Sequence, residues 1–167
     1  MTRRRAPSRG VTLVETVVSI AVLGVVGAMT LPIVHGATDA YAGAVRTRAT
    51  AERAAYALER TVRLLRDCPV GGVDASVGVV IAEPQRVRFS DGRGLELSGT
   101  TLRLRAADGS ESTLCEGVEA FVVEYLADDG VTSAAASPAL TQRFGVRLRV
   151  GEFELRTAVM ARARMTG

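Results

Sequence analysis

Glu15 has the most unusual setting in this sequence, because it is a single charge inside a long apolar stretch. Between Val11 and Val34, 16 of 24 residues are Ala, Val, Ile, Leu or Met, and Glu15 is the one charged side chain. A carboxylate inside a membrane costs about 2.5–3.5 kcal/mol on insertion scales, so it is by default a functional group with a partner. If the chain is cut after Gly10, Val11 gains an α-amino group that can pair with Glu15, within one helix or between neighbouring chains. The sequence therefore predicts a processed N-terminus and an intramembrane ion pair.

The apolar stretch is long enough to cross a bilayer. As a helix, residues 11–34 would extend about 36 Å, against a hydrocarbon core of about 30 Å. Four arginines and no acid precede it (Arg3, Arg4, Arg5, Arg9), which predicts a cytoplasmic N-terminus with the remainder on the other side. Two simpler interpretations stay open: a cleaved secretory signal, with Ala40-Tyr41-Ala42 as its cleavage site, and a plain signal anchor. Neither accounts for Glu15.

The composition argues against an enzyme. The chain has 167 residues, which indicates one domain with appendages. All 21 basic residues are Arg, and loss of the four N-terminal ones lowers the formal net charge from +3 to −1, so no nucleic-acid partner is predicted. A single histidine, His35, and two cysteines can build neither a histidine-based triad nor a Cys/His zinc cluster. No cofactor or metal is predicted, and Asp128-Asp129-Gly130 is interpreted as a hairpin turn in preference to a calcium site.

The segment Arg9-Gly10-Val11-Thr12-Leu13-Val14-Glu15 resembles the prepilin processing motif of type IV pilins and type II secretion pseudopilins. This resemblance implies that a prepilin peptidase cleaves the Gly10–Val11 bond, that Val11 is N-methylated, and that Glu15 guides assembly into a filament. Pro32 falls where many members of the family have a proline that kinks the helix. Val11 departs from the family pattern, which usually has Phe at this position.

The residues from 36 to 67 are Ala-rich and contain no proline, which predicts a stem helix ending before Pro69. Its apolar stripe is predicted from residues at helical spacing: Ala51, Ala55, Leu58, Val62 and Leu65. We interpret this stripe as packing on the chain's own sheet in preference to a partner-specific coiled coil. The apolar span and the stem are expected to form one long helix. This helix is expected to be kinked or locally melted near Pro32 and Gly36.

The second half of the chain alternates between apolar and polar residues, the period of a sheet with one wet face. The clearest segments are Arg86–Phe89, Leu102–Arg105 and Phe144–Val150. Turn signals separate such segments: Asp91-Gly92, Ser98-Gly99, Asp108-Gly109 and Asp129-Gly130. The sequence predicts an α+β, pilin-like fold in which a long N-terminal helix packs on an antiparallel β-meander.

The predicted organisation has four parts: a basic leader (1–10), a transmembrane helix segment (11–34), an amphipathic stem helix (35–67) and an antiparallel β domain (68–167). A final hairpin is expected from Arg143–Val150 and Glu152–Val159. The resemblance places the protein in the bacterial inner membrane as a single-pass protein, with its globular domain outside the cytoplasm. After processing it would be associated with a filament.

Looser motifs resemble the J-type minor pseudopilins and related minor pilins. They are the stem Arg53–Arg66 and the segment Leu114–Tyr125, although the tryptophan typical of that group is missing. This resemblance implies a minor subunit of a secretion or pilus filament, with the prepilin peptidase and other pilin or pseudopilin subunits as partners. The alternative is a single-span membrane-anchored binding or sensor domain that retains a pilin-type signal.

Cys68 and Cys115 both follow the predicted span, and so both are expected on the oxidising side of the membrane. A bridge between them would clamp the end of the stem to the sheet and stabilise the fold by roughly 4 kcal/mol in the chain-entropy model. The alternative is two small buried hydrophobic residues that do not meet.

Overall fold

The computed structural model describes residues 12–71 and 76–162, and it divides the chain into two compact units, Met1–Arg46 and Thr47–Gly167. One helix is followed by eight strands and a short 3₁₀ turn over Pro138–Leu140. The elements are α1 (Leu13–Arg66), β1 (Val79–Glu83), β2 (Arg86–Phe89), β3 (Gly94–Ser98), β4 (Thr101–Arg105), β5 (Glu111–Cys115), β6 (Val118–Leu126), β7 (Arg143–Val150) and β8 (Phe153–Met160). The predicted α+β, pilin-like architecture, a long N-terminal helix and antiparallel sheets, is confirmed.

Helix α1 is uninterrupted through Pro32 and Gly36. Of the two alternatives expected here, a kink or local melting, the structure shows no local melting, because the hydrogen bond that a proline removes does not by itself end a helix whose other turns are intact. A bend of the helix axis at Pro32 stays a prediction.

The part of α1 that belongs to the second unit buries a different stripe from the one expected. Its buried residues are Ala54, Ala57, Thr61, Leu64 and Leu65. Of the predicted set, Leu65 is buried and Ala55 is exposed, while Leu58 and Val62 are half-buried at the edge of the core. The sequence predicted the helical spacing correctly. The buried face, however, lies about one residue earlier in the chain than the predicted one. Small side chains at Ala54 and Ala57 face the core.

The strands form two antiparallel sheets, whereas the sequence predicted one meander. Strands β1 to β5 form a five-stranded sheet in chain order, and β6 to β8 form a three-stranded sheet. Between them, Gly117 has a φ of 71°, a left-handed conformation that glycine adopts without strain. The final hairpin was predicted within one residue, since Val150 pairs with Phe153 across a two-residue turn.

Asp129 forms the turn between β6 and the segment that follows it. Its carboxylate accepts main-chain N–H groups from Val131 at 2.9 Å and Thr132 at 2.8 Å, together with the Thr132 hydroxyl. These bonds favour the ionised form, and they lower the pKa of Asp129. The turn interpretation of Asp128-Asp129-Gly130 is therefore confirmed, with Gly130 at a φ of 71°.

The core of the second unit collects side chains from the helix and from both sheets. Its largest fully buried members are three phenylalanines on three different strands, Phe89, Phe121 and Phe144. Cys68 and Cys115 belong to the same buried cluster. Three of the four phenylalanines of the chain thus lie in this core.

Candidate processing and assembly site

Thr12 begins the helix that carries Glu15. The Thr12 hydroxyl accepts the main-chain N–H of Glu15 at 3.3 Å, which satisfies one of the amide groups that a helix start leaves without a partner. Glu15 lies in the first turn, where the helix dipole favours a negative charge. The spacing Thr-x-x-Glu is that of a capping box. The sequence therefore contains a signal for a helix start at Thr12, which the prediction did not include.

Two of the predicted site residues, Gly10 and Val11, lie outside the described residues. The predicted cleavage at the Gly10–Val11 bond and the methylation of Val11 therefore stay predictions. Glu15 is exposed, and no ion pair joins it to another described residue. Its pairing with the amino group of a neighbouring chain stays a prediction.

The other polar side chains of the apolar segment are satisfied within the helix itself. The Ser19 hydroxyl donates to the Glu15 main-chain oxygen at 2.8 Å, and the Thr16 hydroxyl donates to the Thr12 main-chain oxygen at 3.3 Å. The Thr30 hydroxyl donates to Gly27 at 3.1 Å. Such bonds remove the cost of placing a hydroxyl in a medium that offers no water. Glu15 is the one charged side chain between Thr12 and Val34, and its partner within the membrane stays a prediction.

The surface of the first unit is apolar and uncovered. Its large exposed side chains include Leu13, Val14, Ile20, Leu23, Met29, Leu31 and Ile33. Among the described residues, α1 is a helix long and apolar enough to cross a membrane, and none of its most apolar stretch is buried. This exposure is consistent with single-pass anchoring in a membrane, because lipid or neighbouring subunits would cover the same surface.

The two cysteines lie in the second unit, at the end of the stem and at the end of β5. Both side chains are buried, with exposed fractions of 6% for Cys68 and 4% for Cys115. The Cys115 Sγ donates to the Glu116 oxygen at 3.5 Å, and burial raises the pKa of this thiol. The structure contains both residues as cysteine thiols, and a bridge between them stays a prediction.

Comparison with known families supports the motif found in the sequence. A family profile described as the prokaryotic N-terminal methylation motif matches residues 5–31. No curated protein matches the chain. The profile covers the second part of the basic segment, the predicted cleavage and methylation residues, Glu15 and most of the apolar span. The N-terminal segment of the chain thus carries the methylation motif, and this motif ahead of an α+β, pilin-like fold supports the family of type IV pilins and pseudopilins.

Proposed function

We propose that this chain is a minor pilin or pseudopilin, a structural subunit at or near the tip of a type II secretion or type IV pilus filament. The observation that carries the proposal is the methylation motif at residues 5–31, followed by an apolar helix with no buried residue in its most apolar stretch. A helix of this kind needs a cover. In a membrane the cover is lipid, and in a filament it is the helices of other subunits.

In this proposal, Gly10, Val11 and Glu15 each act in a different step: cleavage, methylation and assembly. The prepilin peptidase cuts after Gly10, because a residue without a side chain fits a narrow pocket before the bond. The new amino group of Val11 is then methylated. Glu15, at the start of the helix, pairs with the amino group of a neighbouring subunit during assembly, and this pair neutralises a carboxylate that would otherwise be costly in the membrane.

The proposed orientation follows from charge. Four arginines in the first ten residues keep the N-terminus in the cytoplasm, and they place the stem and the β domain outside it. The leader, span, stem and β domain then occupy residues 1–10, 11–34, 35–67 and 68–167. The stem segment Arg53–Arg66 and the segment Leu114–Tyr125 support a J-type minor pseudopilin or a close relative.

A groove in the second unit favours a second candidate, a membrane-anchored binding domain. Its cavity of about 250 Å³ has apolar walls from Leu64 and Leu104. Four arginines line it: Arg60, Arg63, Arg93 and Arg105. Three of them are engaged by acids, since Arg63 pairs with Glu59, Arg93 with Asp91 and Arg105 with Glu111. Asp67 lines the groove as well. An isolated binding domain would use such a groove for a small ligand without needing a filament.

Terminal sequencing of the mature chain, together with its purification from filaments, separates the two candidates. A minor pilin starts at a methylated Val11 and co-purifies with filament subunits. Gly10→Val should leave an unprocessed membrane precursor about ten residues heavier, with Ser8→Val as the matched control outside the bond. A mature chain that starts at Val11 but never co-purifies with a filament would favour the anchored binding domain. Processing of Gly10→Val to the same terminus would contradict the motif itself.

A further inference from the structure

We draw no further inference here: the strongest candidate, the apolar groove that residues of β1 and β6 form with Pro84 and Val131, carries nothing, because nothing in the described part of the chain shows which ligand or partner would cover it.

Discussion

The hydroxyl of Tyr125 in β6 donates to the main-chain oxygen of Glu83 at 3.0 Å and lies 3.3 Å from that of Arg86. These two carbonyl groups belong to the turn region between β1 and β2, so one side chain connects the three-stranded sheet to the five-stranded one. The Tyr125 ring also meets Phe144 edge to face, at a centroid distance of 5.9 Å. The Tyr125 hydroxyl therefore connects the two sheets, while its ring packs against Phe144 of the neighbouring strand in its own sheet.

Tyr125→Phe should weaken this connection while keeping the ring contact. We expect the free energy of unfolding to fall by about 1–2 kcal/mol at pH 8, because the Glu83 carbonyl group loses the donor that connects the two sheets. Denaturant unfolding of the full chain in detergent measures the loss. Tyr56→Phe, at an exposed tyrosine of the same unit, is the control and should change little. An unchanged stability in Tyr125→Phe would contradict the connecting role.

The contribution of Tyr125 to the free energy of unfolding should also depend on pH. Burial, and then the nearby Glu83 carboxylate, raise the pKa of Tyr125. A raised pKa in the folded state means that the unfolded chain loses its phenolic proton first, so the stabilisation is complete below about pH 10 and is lost above it. The difference in unfolding free energy between wild type and Tyr125→Phe should therefore shrink between pH 9 and pH 11. A difference that is constant over this range would show that the hydroxyl is not buried.

The sequence predicted the long helix and the final hairpin because each has a strong local signal. The apolar span is longer than a typical core helix. In Phe144–Val150, apolar residues occupy every second position without a break. The strand β5 was missed, since its sequence Glu-Ser-Thr-Leu-Cys does not alternate and its first three residues are exposed. An edge strand with two accessible faces has little reason to show a period of two.

The buried face of the stem was mispredicted for a different reason. The predicted stripe joined Ala51 and Ala55 to three large aliphatic residues at helical spacing, Leu58, Val62 and Leu65. The structure buries Ala54 and Ala57 instead. Which of two adjacent stripes faces the core depends on the shape of the sheet, and this information is not local to the helix. The role of Thr12 as helix cap, in contrast, could have been predicted from Thr-x-x-Glu alone.

Thr61 provides a test of the observed stripe. It is fully buried, and its hydroxyl oxygen has no hydrogen-bond partner among the described residues. Thr61→Val keeps the shape and removes the unsatisfied group, so the free energy of unfolding should rise by about 1 kcal/mol. Thr61→Ser keeps the hydroxyl and loses a methyl group, so it should be less stable than wild type. Thermal unfolding measures both variants. A destabilised Thr61→Val would mean that the hydroxyl has a partner.

The cysteine bridge can be tested by its dependence on reductant. If Cys68 and Cys115 are joined in the mature protein, reduction should lower the free energy of unfolding by up to about 4 kcal/mol. Cys115→Ala should be insensitive to reductant, since no bridge can form in it. Thiol labelling of the unreduced, denatured wild-type protein tests the bridge directly, because it counts the free thiols. Two reactive thiols would rule the bridge out, and then both residues would act as small buried hydrophobic side chains of the core.

The assembly role of Glu15 can be separated from its place at the helix start. Glu15→Gln keeps a residue that suits a capping box but removes the charge, so the helix should start as before and membrane insertion should be equal or better. Incorporation into filaments should fall by roughly tenfold or more, because a charge-assisted bond to a neighbouring amino group is worth about 1.5–3 kcal/mol. Thr12→Ala is the matched control: it removes the hydroxyl that accepts the Glu15 N–H but retains the carboxylate. Quantitative immunoblotting of sheared filaments and of membranes measures both variants. If Thr12→Ala lowers incorporation as much as Glu15→Gln does, helix capping and not ion pairing would explain why a charge is kept in this segment.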